Sequence, residues 1–200
     1  MQKRKNKKLK PVKKVNSNRL APKRIVSKMG MWSVLIALFI LALDQGSKHL
    51  VSLHIPQMIH ETQWYPYNGI GIFENFWGIE FSIVHATNRG AAWGLFSDFQ
   101  SYLVAFRMFF IGGLFVYLVG FNKNKYLNVP LTLIVAGALG NILDYLIYGH
   151  VIDMFHFVFW GHHFAIFNVA DSAISIGVTI VILMTLGSHK NPLQLGSVHE

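Results

Sequence analysis

The chain is predicted to be a membrane α-helical protein with four transmembrane helices, a small extracytoplasmic β-sheet, and both termini in the cytoplasm. Three observations carry this prediction. Of 200 residues, 52% are hydrophobic and only 14% are charged. Four apolar stretches reach about the 20 residues that cross a hydrocarbon core at roughly 1.5 Å per residue. The basic residues are concentrated at the N-terminus, as expected of a chain whose cations stay on the cytoplasmic side.

The four stretches run from Met31 to Leu53, Tyr102 to Phe121, Leu127 to Tyr148 and Phe167 to Leu186. A packed soluble protein can bury one or two such helices, but four in so short a chain leave too little polar sequence to cover them. Orientation follows from charge. Twelve of the 18 Lys and Arg residues lie between Lys3 and Lys28, a segment without a single acid. Lys123 and Lys125 sit between the second and third spans, and Lys190 follows the fourth, so all three segments are assigned to the cytoplasm. The segment from His54 to Ser101 holds Glu61, Glu74, Glu80 and Asp98 against Arg89, as an outward loop should.

The formal net charge of +9 therefore belongs to the tail; without it, 6 basic residues face 9 acidic ones. Beside a transmembrane helix such a tail meets anionic headgroups, at about 1 kcal/mol per residue near the surface, rather than nucleic acid. The tail resembles the start of a secretory signal peptide, but no A-x-A cleavage pattern follows, and it is expected to be retained. The resulting division is a basic disordered cytoplasmic tail (1–28), one four-span membrane domain (29–186) and a cytoplasmic C-terminal tail (187–200). With no cysteine, there is no disulfide framework, thiol nucleophile or thiolate metal site.

Two segments outside the spans alternate as strands do. In Ile79 to His85 the residues Ile79, Phe81 and Ile83 alternate with Glu80 and Ser82, and Val151 to Trp160 behaves similarly. Trp64, Tyr65, Tyr67, Phe73, Phe76 and Trp77 precede them. Aromatic residues favour the membrane interface, which predicts a small sheet on the outer leaflet.

Within this frame the polar residues near the spans become informative. Asp153 and Asp171 fall at the same end of two spans, and ionisable groups at membrane depth mark functional sites. Paired carboxylates share a proton and can act as acid and base in aspartyl proteolysis. Asp44 and Lys48, four apart on one helix face, can pair, either structurally or in direct chemistry. Asn141, Asp144, Tyr145 and Tyr148 follow the spacing of one helical face, predicting a stripe that looks into the protein. Gly137 and Gly140 in the same helix allow close approach of a neighbour. Asn168 and Asp171 stand where either can cap the fourth helix. Thr87, Asn88, Arg89 and Gly90 supply a polar turn on the outer side.

Five segments carry a family resemblance. They are Leu43-Asp44-Gln45-Gly46-Ser47-Lys48, Asn88-Arg89-Gly90-Ala91-Ala92-Trp93, Gly140-Asn141-Ile142-Leu143-Asp144, Gly149-His150-Val151-Ile152-Asp153 and Phe167-Asn168-Val169-Ala170-Asp171. In this order, from about Met31 to Leu186, the chain resembles the lipoprotein signal peptidases, also called signal peptidase II. The resemblance implies a membrane aspartyl endopeptidase that removes signal peptides from bacterial prolipoproteins, cutting before a cysteine that carries diacylglycerol. It implies Asp153 and Asp171 as the catalytic pair, with Asp44, Lys48, Asn88, Gly90, Asn141, Asp144 and Asn168 shaping the pocket. It further implies diacylglyceryl-prolipoprotein substrates, contact with membrane lipids, no nucleic acid, a monomer, no cofactor or metal, and a multi-pass location in the bacterial cytoplasmic (inner) membrane with the active site at the outer face.

The chain departs from the family pattern at three positions: Tyr145 stands where Arg is usual, Ala165 where Pro is common, and Met154 where an aromatic is usual. If a cation is needed there, Arg89 or Lys48 is expected to supply it. Two other chemistries are carried forward. A small transporter or ion or proton channel would use buried Asp and Asn, but would place them through the bilayer midplane. A metallohydrolase would draw on His150, Asp153, His156, His162 and His163, although no H-E-x-x-H signature is present.

Overall fold

The computed structural model describes residues 30–58, 64–88 and 100–189. In chain order the elements are α1 (Met31–His54), β1 (Ile70–Phe76), β2 (Ile79–Asn88), α2 (Gln100–Val116), α3 (Asn128–Tyr148), β3 (Val151–Phe159), β4 (His162–His163) and α4 (Val169–His189). A π-helical turn, Tyr117–Phe121, continues α2, and a short 3-10 turn, Lys125–Leu127, leads into α3.

All four helices carry windows long and apolar enough to cross a membrane: Met31–His54, Val104–Phe121, Lys125–Tyr148 and Val169–Gly187. Their outward faces bear large apolar residues such as Trp32, Leu38, Phe39, Phe109, Ile147 and Leu183, each more than half exposed. A soluble protein seldom exposes such continuous apolar surface; against lipid it costs nothing. The four spans are as expected from the sequence. Four spans in series bring the end of α1, the start of α2, the end of α3 and the start of α4 to one end of the bundle, and the strands lie there.

Packing between helices depends on small residues. A Cβ at Gly140 would come within 2.5 Å of Asp44 Oδ2, and one at Gly177 within 2.6 Å of the Pro130 carbonyl oxygen. Bare backbone at these points lets α3 meet α1 and α4 closely, as in membrane bundles generally. Gly140→Ala is therefore expected to lower stability by about 1–3 kcal/mol, the usual cost of overpacking, read as a fall in the detergent unfolding midpoint.

The strands form one antiparallel sheet in the order β1-β2-β3-β4. The hairpin turns at Trp77-Gly78 and Trp160-Gly161 have positive φ at both residues (57° and 81°, 49° and 80°), as two-residue type I′ turns require. The alternation in β2 is present, but the more buried face is the one bearing Ser82 and Val84, not Ile79, Phe81 and Ile83. Tyr67, from the segment before β1, covers that face and packs with Val84 and Val158. Tyr67 also donates a hydrogen bond to Glu80 and sets its ring against His156 and His163. The opposite face is aromatic, with Phe81 stacked on Phe157 at 4.3 Å, and is only half-buried.

Most boundaries fall within two residues of those expected, and three of the differences have a local cause. Phe167 is not helical, because it bridges to Phe155 and leaves Asn168 to cap α4. Helix α4 continues through Gly187 to His189, since one glycine costs only about 1 kcal/mol and does not end an otherwise apolar helix. Strand β2 runs on to Asn88. The basic tail, Arg89, Gly90 and the chain beyond His189 lie outside the described residues.

Candidate active site

Three local devices bring Asp153 and Asp171 to one place. On β2, Val84 and His85 oppose the single residue Met154, between the pairs Ile83↔Phe155 and Ala86↔Asp153. This bulge re-aims the end of the strand, a common arrangement beside active sites. Next, Phe167 accepts hydrogen bonds from the backbone N–H groups of Met154 (3.0 Å) and Phe155 (2.8 Å), pinning the start of α4 to β3. Finally, Asn168 Oδ1 accepts from the Asp171 N–H at 2.8 Å, while Asp171 Oδ2 accepts from the Asn168 N–H at 3.3 Å. This is a reciprocal capping box, with Asp in place of the usual Glu. Both residues cap the helix, so capping accounts for one oxygen of Asp171 and leaves the other for its neighbours.

Each carboxylate is held by amides. Asp153 Oδ1 accepts from Asn168 Nδ2 at 2.6 Å and Oδ2 from Asn88 Nδ2 at 3.1 Å. Asp171 Oδ1 accepts from Asn141 Nδ2 at 2.8 Å. Asn168 Nδ2 also lies 3.1 Å from Asn141 Oδ1, tying the two carboxylates into one network. Burial pushes the Asp153 carboxyl up to about 7, with the neighbouring charge of Asp171 acting in the same direction. The hydrogen bonds from Asn88 and Asn168 and the charge of Lys48 oppose this rise.

Beneath the pair lies a buried ionic layer. Lys48 Nζ donates to Asp44 Oδ2 (2.8 Å) and Asn141 Oδ1 (3.1 Å) and pairs with Asp144 Oδ2 (2.7 Å). An ammonium has three donors, and all are used. Asp44 Oδ1 accepts from the Ala170 N–H at 2.9 Å, and Asp144 Oδ2 from the Ile152 N–H at 3.2 Å. The layer thus grips the chain next to each catalytic candidate. Asp44, Lys48 and Asp144 are at most 1% exposed, so this is an interior network rather than an interfacial pair.

A cavity of about 740 Å³ opens at the carboxylates. Asn88, Asn141, Asp153 and Asp171 line one end; Leu114, Tyr117 and Ile134 line its apolar depth. Ile134 lies seven residues before Asn141 on α3, so the cavity reaches ~10 Å along the span at 1.5 Å per residue.

Eight of the nine residues expected at the site converge: Asp44, Lys48, Asn88, Asn141, Asp144, Asp153, Asn168 and Asp171. Gly90 lies outside the described residues. Of the predicted α3 stripe, Asn141 and Tyr145 line the cavity and Asp144 is buried, but Tyr148 is 40% exposed and beside His150. Tyr148 is the last residue of the helix, so the face it belongs to ends there. Met154 packs with Val51, Ile55 and Ile152 in a small core, which accounts for an aliphatic residue there.

Two contributors escaped the sequence reading. Gln45 Nε2 bridges Asp44 (3.1 Å), the Gly140 carbonyl (3.2 Å) and Asp144 Oδ1 (2.8 Å). Its position three residues before Lys48, on the same helical face, was the available signal. Arg107, a cation inside an apolar span, lines the cavity. His156 and His163 join each other at 3.1 Å, and among the described residues no three acidic or histidine side chains are placed to hold a metal ion. The acids, lysine and amides that the helices bring to the site lie in the sheet-side half of α1, α3 and α4.

Fold and site together define a membrane-embedded hydrolase of the aspartic peptidase class. The family profile described as Signal peptidase (SPase) II matches residues 36–187. The chain is 36% identical over 151 residues to the lipoprotein signal peptidases of Chlamydia trachomatis serovar D and serovar A, covering 74% of this chain and 87% of each relative. Two bacterial membrane enzyme structures obtained by the in meso method are similar to it at 28% identity. Their TM-scores are 0.69 and 0.65, with 84% and 80% of this chain and 96% of each neighbour covered. The chain belongs to the signal peptidase II family, whose members cleave signal peptides from prolipoproteins; the transporter reading is not supported.

Proposed function

We propose that Asp153 and Asp171 are the catalytic pair of an enzyme that cuts diacylglyceryl-modified prolipoproteins immediately before the lipidated cysteine. The observation that carries this reading is a pair of amide-bound carboxylates, one pushed up to about 7, at the mouth of an apolar cavity within the spans. An aspartic mechanism needs one proton between two carboxyls at working pH, and this pair is built to keep one. One carboxylate takes a proton from a water held between them as that water attacks the scissile carbonyl. The protonated partner hydrogen-bonds the developing oxyanion, and a proton then passes to the departing amine. The two carboxyls share one site, so acid and base are not assigned separately. Neither metal nor organic cofactor is required for this chemistry.

The remaining residues position the pair. Asn88, Asn141 and Asn168 orient the carboxylates, while Asp44, Lys48 and Asp144 fix the segments that carry them; Gly90 belongs to the same outward turn as Asn88. The apolar depth of the cavity suits a signal helix and acyl chains. Location in the bacterial cytoplasmic membrane, with the sheet and the carboxylates at the outer face and both tails inside, follows the distribution of Lys and Arg. A monomer surrounded by lipid is sufficient, since one chain supplies the whole pair.

The test is product mapping. Purified protein in detergent is expected to release a product beginning with the diacylglyceryl cysteine, identified by mass, and to leave the unmodified prolipoprotein uncut. Equal cutting of both forms, or a cut elsewhere, would overturn the assignment.

Cleavage is also expected to decline as pH rises through the region near 7, where the pair loses its shared proton. Asn88 donates to the ionised form of Asp153 and so lowers its proton affinity. Asn88→Ala removes that donor, and the alkaline limb of the pH–rate profile is expected to move up by roughly one unit, the equivalent of one charge-assisted hydrogen bond. A downward shift would contradict this electrostatic account.

A further inference from the structure

We infer that Arg107 is a substrate-positioning residue: from α2 it holds the ester and glyceryl oxygens of the substrate's diacylglyceryl group beside the scissile bond. This rests on the proposed reaction and names how that same site recognises the lipid.

A cation inside an apolar span is costly. Arg107 lies within the apolar span Val104–Phe121 and is the fourth residue from its sheet-side end. A cation at membrane depth persists where it faces a protein interior or a polar cavity, and its long stem lets the guanidinium reach toward the interface. Arg107 meets that condition, because it lines the same cavity as Asp153 and Asp171.

Among the described residues lining the cavity, Arg107 is the one cation. Lys48 does not serve, because its three donors are committed to Asp44, Asn141 and Asp144. Tyr145, standing where a cation was expected, lines the cavity without contributing charge. The cavity is therefore graded. Amides and carboxylates occupy one end, aliphatic and aromatic side chains fill the depth, and Arg107, fourth in its span from the sheet side, is the charged residue on the wall that α2 supplies. A diacylglyceryl cysteine has the same order: peptide bond, then thioether and glyceryl esters, then acyl chains. With the peptide carbonyl at the carboxylates and the chains in the depth, the ester oxygens fall in the polar zone between. A guanidinium offers five donors in a plane, so it can bind two such oxygens together and still keep a contact within the protein.

The experiment separates this role from a merely structural one. On the diacylglyceryl prolipoprotein, Arg107→Gln is expected to raise KM about 10- to 100-fold, the range for losing charge-assisted hydrogen bonds, with kcat changed far less. Arg107→Lys should recover part of the loss, and the unfolding midpoints of both variants, recorded beside it, separate the loss of the guanidinium's own contact within the protein from the loss of substrate binding. Affinity for the same substrate is measured in the Asp153→Asn background, where no cleavage is needed, and Arg107→Gln should weaken it by the same factor. An unchanged KM and affinity would overturn the inference while leaving the cleavage reaction standing. Weakened affinity in a protein that does not cleave would sustain Arg107 and overturn the reaction instead. The oxygens of a bilayer phospholipid offer similar chemistry, so the assays are run in phospholipid-free non-ionic detergent with and without added phosphatidylglycerol. A defect that appears only when that lipid is present would assign Arg107 to a headgroup and contradict the inference.

Discussion

Lys48→Met is expected to destabilise the protein by about 3–5 kcal/mol, the cost of leaving a buried charge without its partner. The expectation follows from geometry. Lys48 is the ammonium between Asp44 Oδ2 at 2.8 Å and Asp144 Oδ2 at 2.7 Å, and all three residues are buried. Removing it leaves two carboxylates facing each other away from water. The effect extends to the site, because Asp44 holds the N–H of Ala170 and Lys48 holds the side-chain oxygen of Asn141, whose amide binds Asp171. Both the unfolding midpoint in detergent and the cleavage rate should therefore fall. The triple variant Lys48→Met, Asp44→Asn, Asp144→Asn removes all the layer's charges and should regain a good part of the stability, because neighbours in one network are not additive. If the triple variant is less stable than Lys48→Met, charge pairing is not what the layer supplies.

The spans were legible because a bilayer imposes one simple rule of length and composition, which the four windows satisfy. The site was legible in so far as its residues share helical spacing: Asp44 with Lys48, Asn141 with Asp144, Asn168 with Asp171. What escaped depended on contacts between distant segments. Gln45 reaches across 99 residues of chain to Asp144, and spacing alone names no partner for it. Asp153 is aimed by an extra residue in β2, a bulge that alternation does not reveal. The face of the sheet that is more buried was decided by Tyr67, which packs on Val84 and Val158 from outside the strands. Tyr148 matched the helical stripe but fell at the helix end, where the rule of one face no longer implies a neighbour. Arg107 was hidden by its surroundings, as an apolar window tolerates a single charge without losing its signal.

Asp153→Asn and Asp171→Asn are each expected to lower cleavage by at least about 10²–10⁴-fold, the share of a rate that positioned proton transfer supplies. An asparagine keeps the shape but has one accepting oxygen where the carboxylate uses two, and it neither takes a proton from water nor offers an acidic one. At Asp153 the loss removes the proton that burial and Asp171 keep on the pair up to about pH 7. At Asp171 both the Asn168 N–H and Asn141 Nδ2 donate, so an amide there accepts from one and turns its own NH2 toward the other, and part of the network is also lost. The unfolding midpoint of each variant, recorded beside its rate, separates the chemical loss from this structural one. The most direct measurement is single-turnover cleavage of a diacylglyceryl-modified prolipoprotein by the parent and the two variants, all folded and in excess over substrate. The account predicts cutting by the parent and none above background by either variant. A folded variant that retains the parental rate would contradict the assignment of Asp153 and Asp171 as the reacting pair.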